Sequence, residues 1–232
     1  MGIRNLPTAL LYCLAMTIAM PARVIIVRHG ATDWSMVGKH TGRSDIALND
    51  VGRQQSQRLR PFLERIITST SAHDGDDSAR QHADDEPVVF TSTLSRASET
   101  AALALPTRFV DRAGPIEQLV EIDYGRFEGL TSPEIALIDP AWNLYTDGCP
   151  GGESVAAVIA RCDSFIAKTE RMAAGRTVVV FTHGHFSRVL TARLLGQPAS
   201  LGSTLYNDTA TIAVVDERRG FPVLTAWNLG AH

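Results

Sequence analysis

Two histidines in this chain stand in the same setting. Each closes an apolar run and is followed at once by glycine: Ile26-Val27-Arg28-His29-Gly30 near the start and Val180-Phe181-Thr182-His183-Gly184 far downstream. Such a run reads as a buried strand of a parallel sheet. In an open parallel sheet, ligands bind beyond the carboxyl ends of the strands. Both imidazoles therefore fall where one ligand would sit, each beside a glycine that lets backbone come close. Arg28 precedes the first histidine, and Arg96 follows Thr91-Ser92-Thr93-Leu94-Ser95, the end of another short strand and the start of its helix. Guanidinium groups are the planar, bidentate donors that suit phosphate, and a helix start adds free backbone N–H groups. The alternative for Arg96 is a surface ion pair with Glu99 at the next helical turn. What these residue types offer together is the binding of an anionic phosphoryl group between arginines and imidazoles.

The elements that must position them can be read from periodicity. Residues 24–27, 88–91 and 177–182 are short β-branched or apolar runs, hence strands. A helix follows from Asn49 or Asp50 as cap, with Val51, Leu59, Phe62, Leu63 and Ile66 as one apolar face. Another spans residues 95–104 and ends before Pro106. A third starts at Ser154, with Val155, Val158, Ile159, Cys162, Phe165 and Ile166 on one side, and stops at Gly175; a fourth covers residues 186–195. Residues 119–130 read as a loop, and residues 131–152 as a short helix and a Gly/Pro-rich turn. Residues 209–215 and 222–227 read as final strands, a hairpin or edge pair. Strands alternating with helices predict a three-layer α/β/α sandwich with a mainly parallel central sheet.

Composition sets the outer bounds. The 232 residues suffice for one α/β domain with a sizeable core, assigned to residues 23–232. Hydrophobic residues make up 44% and charged residues 20%, as in ordinary globular proteins. The net charge of -3 argues against a general nucleic-acid binder. Three irregularly spaced cysteines (Cys13, Cys149, Cys162) suggest neither a disulfide framework nor a zinc site, and fit a reducing compartment. Residues 69–86, acidic and poor in apolar side chains, read as a surface loop insertion. Residues 6–22 are apolar with Arg4 ahead of them, which is signal-like. They are too short for a clear membrane span and abut the first strand directly. Residues 1–22 are therefore expected to be an N-terminal extension of a cytoplasmic protein; a signal or anchor, which would make it secreted or anchored, and a docked helix are the alternatives.

Further motifs follow in order: Thr32 and Trp34 behind Arg28-His29-Gly30, Thr41-Gly42, residues 48–52, Ser95-Arg96-Ala97 with Thr100-Ala101, residues 121–130, and Thr182-His183-Gly184. Together they resemble the histidine phosphatase superfamily, the phosphoglycerate-mutase-like clan, over residues 24–195. More narrowly, Trp142-Asn143, Asp147-Gly148-Cys149, Gly152-Glu153-Ser154 and His183-Gly184-His185 with Arg188 are similar to its small acid phosphatase and fungal sedoheptulose-1,7-bisphosphatase branch. The resemblance implies a phosphoglycerate-mutase-like fold. It also implies a phosphatase that hydrolyses small phosphomonoesters through a phosphohistidine on His29, with no metal or cofactor. Arg28, Arg96 and His183 would hold the phosphoryl oxygens, His183 as an extra cation, the two histidine pKa values being pushed apart. Glu121 would be the general acid, with Asp123 and Glu153 as rivals. Thr41, Gly42 and Gly184 match phosphate-side positions. Ser35, where many members carry Asn, and Trp142, Asn143 and His185 are further substrate-binding candidates. Packing is the alternative for His185 and the aromatics.

The implied partner is a small phosphorylated metabolite, without nucleic acid or membrane for the folded domain; a homodimer stays open. A cofactor-dependent mutase shares the phosphohistidine, but the stretch after Glu121 carries one arginine between acidic groups, which favours net hydrolysis. A non-catalytic phospho-ligand binder on the same fold is a third reading. A metal hydrolase built on His29, His183 and His185 is opposed by the charge of Arg28.

Overall fold

The computed structural model describes residues 20–69 and 86–230. Six strands form one sheet: β1 (Arg23–Arg28), β2 (Val88–Ser92), β3 (Gly114–Ile116), β4 (Thr177–Thr182), β5 (Thr211–Arg218) and β6 (Phe221–Gly230). Eight helices accompany them among the described residues. They are α1 (Asp33–Met36), α2 (Asp50–Thr68), α3 (Ser95–Ala104), α4 (Thr107–Val110), α5 (Ser132–Ile138), α6 (Leu144–Asp147), α7 (Val155–Met172) and α8 (Gly184–Leu194). The strand order is β3-β2-β4-β1-β5-β6. Parallel pairing joins β3 to β2, β2 to β4 and β4 to β1, whereas β5 runs antiparallel to β1 and to β6.

The alternation of side chains along a strand sends the core to both faces. Val24, Ile26, Val178 and Val180 point towards α7 and α8, meeting Val158, Cys162, Phe165, Phe186 and Leu190. Ile25, Val27, Val179 and Phe181 point the other way, towards Leu59 and Leu63 of α2 and Ala101 and Ala104 of α3. Buried on both faces, the middles of β1 (residues 24–27) and β4 (residues 178–181) have no room for polar side chains, which is why each run is uniformly apolar. The three layers and the mainly parallel sheet are those expected, and β5 and β6 form the expected hairpin at one edge.

Three details depart from expectation. The buried stripe of α2 runs Gly52, Ser56, Leu59 and Leu63, with Phe62 and Ile66 half-buried against the same core as expected, and of the expected face Val51 is exposed. Its first turn presses on the loop after β1: a Cβ added at Gly52 would lie 2.0 Å from the Ala31 carbonyl oxygen, and one added at Gly30 would lie 2.4 Å from that of Gly52. Only a residue without a side chain fits, so the contact position falls on Gly52 and its neighbour turns outward. Strand β3 has no expected counterpart; three residues with a central proline give no alternation to read, and proline is tolerated there because the strand is an edge. Residues 131–152 hold two short helices, α5 and α6, where one was expected. Most of residues 1–22 and of the 69–86 insertion lie outside the described residues. Among those described, no helix is long and apolar enough to cross a membrane.

Replacing Gly52 by alanine should cost about 2–3 kcal/mol, because rigid backbone has to move. Gly114→Ala should change stability by less than about 0.5 kcal/mol, as its nearest neighbour would be 3.9 Å away. Equilibrium urea unfolding of the two variants checks the difference, and equal midpoints would refute the close-packing account.

Candidate active site

The carboxyl ends of β1, β2 and β4 meet at one place. Arg28 closes β1, Ser92 closes β2 and Thr182 closes β4, with His29 and His183 immediately beyond. The backbone N–H of His29 donates to the Thr182 carbonyl (3.0 Å), continuing the parallel ladder into the site. The two imidazole centroids are 5.2 Å apart. Helix α3 is tied to the same loop: Gly30 N–H donates to Thr100 Oγ1 at 3.0 Å, and that hydroxyl donates to the Arg96 carbonyl at 2.7 Å.

His29 is buried, and its Nδ1–H donates to the Gly30 carbonyl at 2.7 Å. That bond fixes the tautomer and leaves Nε2 with a lone pair. Burial holds its pKa well below 6.5, and the nearby charges of Arg96 and Arg28 lower it further. His183 accepts from Arg96 Nε at its own Nδ1 (3.1 Å), so its Nε2–H donates to Ser92 Oγ at 2.8 Å. A ring that accepts at one nitrogen and donates at the other is neutral. Burial, then the charge of Arg96, keeps its pKa far below 6.5 as well. The expectation of a cationic His183 is thus corrected: both histidines shift in the same direction, because both sit in the same dry, arginine-lined corner.

Arg96 is fully buried. Its Nη1 donates to the Ser44 carbonyl (2.8 Å), and Nη2 donates to those of Thr41 (3.1 Å) and Gly42 (3.0 Å). Its alternative partner, Glu99, pairs instead with Arg53 at 2.7 Å. Arg28 lies nearer the surface of the site. Nη1 donates to the Asn207 carbonyl at 2.6 Å, while the buried Nε–H has no protein acceptor. The guanidinium lies over Gly184, where an added Cβ would be 3.2 Å from Cζ and Nε.

Glu121 is the carboxylate of the site. Oε1 accepts from the backbone N–H groups of Phe186 (2.8 Å) and Ile122 (3.0 Å), and Oε2 accepts from that of His185 (3.0 Å). It therefore caps the N-terminus of α8, where the helix dipole favours an anion and where the N-cap residue His183 supplies no side-chain cap. Its rivals are engaged elsewhere. Asp123 Oδ1 accepts from Gly125 N–H, and Glu153 grips Arg161 with both oxygens at 2.9 and 2.8 Å.

A pocket of about 160 Å³ opens over these groups. Of the residues expected in the site, catalytic or substrate-binding, Arg28, His29, Ser35, Thr41, Glu121, Gly184 and His185 line it. Arg96 and His183 form the buried ground behind. Gly42 stands back, its N–H held by the Glu128 carboxylate at 3.0 Å. Trp142 and Asn143 also stand outside the wall. The Trp142 indole donates to the Gly148 carbonyl and packs edge-on against Phe127 and His40, so it supports the wall; Asn143 caps α6 through Tyr145 N–H.

Sequence reasoning missed several wall residues: Lys39, His40, Tyr124, Ser132, Tyr206 and Asn207. Tyr124, three residues beyond Glu121, was within reach of a motif argument. It is hydrogen-bonded through Oη to His185 Nδ1 at 2.5 Å, and His185 in turn stacks on His40 with centroids 5.5 Å apart. Tyr206 and Asn207 carry no local signal; the chain beyond the 3-10 turn Ala199–Thr204 delivers them across the Arg28 contact.

Comparison with known proteins agrees with this geometry. A family model described as "Histidine phosphatase superfamily (branch 1)" matches residues 24–73 and 76–230. An acid phosphatase of Mycobacterium tuberculosis is 35% identical over 210 residues, covering 90% of this chain and 94% of that protein. The sedoheptulose 1,7-bisphosphatase of Saccharomyces cerevisiae is 29% identical over 198 residues, covering 77% and 69% respectively. The solved structure of an open reading frame of Mycobacterium tuberculosis superposes with a TM-score of 0.77 at 35% identity, covering 90% of this chain and 98% of that one. The strand-end histidines, the buried arginines and these matches have one meaning: the chain belongs to the histidine phosphatase superfamily and is a phosphoric monoester hydrolase.

Proposed function

We propose that this enzyme hydrolyses small phosphomonoesters, of the sugar phosphate or bisphosphate class or over a broad acid phosphatase range, through a phosphohistidine on His29. The observation that carries the reading is the state of that side chain: neutral, tautomer fixed by Gly30, with the Nε2 lone pair at the base of an arginine-lined pocket. The Nε2 lone pair attacks phosphorus, the P–O ester bond breaks in line, and the leaving alkoxide takes a proton from Glu121. Oε2 of Glu121, with one backbone donor against two on Oε1, is the oxygen with capacity for that proton. The resulting carboxylate then takes a proton from water, whose oxygen attacks phosphorus as the P–N bond breaks and inorganic phosphate leaves.

The buried, unpaired Nε–H of Arg28 is the donor on offer to a phosphoryl oxygen, the first-turn N–H groups of His185 and Phe186 in α8 being held by Glu121. Arg96 and His183 act from behind, the first as charge, the second by holding the first in place. Two features favour hydrolysis over mutase chemistry: Glu121 is the one carboxylate among the described residues that line the pocket, and Arg126 lies outside its wall. In the cell the substrate is a small phosphorylated metabolite and the setting cytoplasmic, in line with the few unpaired cysteines; Cys149 and Cys162 are free and buried.

Three outcomes are expected. Quenched reactions with ³²P-labelled substrate should leave acid-labile, alkali-stable label on His29, absent in His29→Ala, whose kcat should fall by about 10³ or more. Label elsewhere, or full turnover by His29→Ala, would overturn the nucleophile. Glu121→Gln should slow phosphohistidine formation, read in single turnovers, by about 10² or more with alkyl phosphates but by no more than about tenfold with p-nitrophenyl phosphate, whose leaving group needs no proton. Equal losses would refute the acid. Because burial lowers the pKa of His29, its ring should stay neutral as pH falls through 6.5, and the nucleophile survives mildly acidic solution. Imidazole NMR signals that remain at neutral positions down to about pH 5.5 are expected; a midpoint at 6.5 or higher would contradict the buried, arginine-flanked setting.

A further inference from the structure

Glu121 stands in a stretch without regular structure: residues 121–124 lie between the 3-10 turns Glu117–Leu119 and Gly125–Phe127. Neither a ladder nor a helix holds its backbone, yet misplacing a catalytic group by about 1 Å can cost on the order of 10² in rate. The contacts that hold it come from Arg161 of α7. Nη1 donates to the carbonyls of Gln118 (3.0 Å) and Val120 (2.5 Å), and Nη2 donates to that of Glu121 itself (3.5 Å). Nε and Nη2 also grip the two Glu153 oxygens, so all five N–H groups of the fork are engaged. The Leu119 carbonyl, between those of Gln118 and Val120, accepts from Thr182 Oγ1 at 2.7 Å.

Glu153 extends the clamp beyond Glu121. Its Oε2 accepts from Asp123 N–H (3.3 Å), and its own N–H donates to the Asp123 carbonyl (2.9 Å). The Arg161 guanidinium also lies 4.3 Å from the ring centroid of Phe186, whose N–H donates to Glu121 Oε1 at 2.8 Å. Backbone before, at and after the carboxylate, and the helix start that receives it, thus converge on one ion pair. Stability alone does not call for that pair. Its side chains are 13% and 12% exposed, and a buried ion pair can often be replaced by apolar side chains of like volume without loss. What an apolar residue could not do is donate to three carbonyls at once and fix their spacing, as a planar fork does. Arg161 does not line the pocket. Resting on the phosphatase reading above, we propose that Arg161, oriented by Glu153, is a positioning residue for the general acid: it fixes the Glu121 backbone so that the carboxyl proton meets the leaving oxygen.

A double-mutant cycle read in single turnovers tests this, as phosphohistidine formed from glycerol 3-phosphate and from p-nitrophenyl phosphate. Arg161→Met should slow the first by about tenfold or more and the second by no more than about threefold, because only the first leaving group needs the proton. In a Glu121→Gln background the same change should slow glycerol 3-phosphate by no more than about twofold, since the group that Arg161 positions is gone. Arg161→Lys keeps the charge but cannot span the carbonyls, and should show the same selective loss at about fivefold. It carries the test alone if Arg161→Met does not fold. Equal slowing of both substrates, an undiminished effect in Glu121→Gln, or an Arg161→Lys protein that keeps its full rate or fails to fold would overturn the positioning role and leave a structural ion pair. Absence of phosphohistidine in the unaltered enzyme with both substrates would instead overturn the phosphatase reading itself.

Discussion

Everything at the strand ends depends on where one buried charge is put. Arg96 is out of water entirely, and an unpaired guanidinium there would be costly. It is accommodated by four hydrogen bonds: three to carbonyls of the segment around Thr41, Gly42 and Ser44, and one to His183 Nδ1. Each partner is thereby fixed in turn. The loop that bears Thr41 is pulled under the pocket, and His183 is locked into the tautomer that donates to Ser92. His29, next to both, loses its affinity for a proton. The electrostatics of the site are thus divided by residue type, with permanent cations supplied by arginine and imidazoles kept neutral by dryness.

This division explains why a generic intuition about histidine fails here. An imidazole close to an anion site invites a positive charge, but that needs solvent or a carboxylate nearby. The carboxylate of the site, Glu121, is turned onto backbone donors at α8, and burial with the charge of Arg96 keeps His183 from binding a proton. His40 and His185 follow the same rule further out: burial lowers both, and Arg188 and His40 lower His185 further. A flat neutral stack results, better suited to contact with a carbon skeleton than to catalysis.

How much of this was legible beforehand depends on the range of the interaction. β1 and β4 are buried on both faces, so their apolar runs announce them and place His29 and His183 together. Glycines 30 and 184, flagged only for permissiveness, proved to accommodate specific neighbours, Gly52 and Arg28. Glu121 could be picked out by resemblance, whereas the partners of Asp123 and Glu153, Gly125 and Arg161, could not be read from the sequence. The protonation of His183 was misjudged because Arg96 Nε, 87 residues away, sets it. Trp142 and Asn143 were assigned to substrate, whereas Gly148, Phe127 and Tyr145 claim them. Contacts made within a turn or along a strand leave a periodic trace, while those made across the sheet edge leave none.

The seat of Glu121 on the first turn of α8 ties chemistry to architecture. Catalytic groups commonly sit where they strain a fold, so that replacing them stabilises it. Here the carboxylate supplies three acceptor contacts, two of them to a helix start whose own N-cap side chain offers none. Removing it would loosen the helix that presents Gly184, His185 and Arg188. For anyone wishing to crystallise an inert enzyme with its substrate in place, the better choice is to disable His29, because truncating Glu121 would also take two acceptors from the first turn of α8.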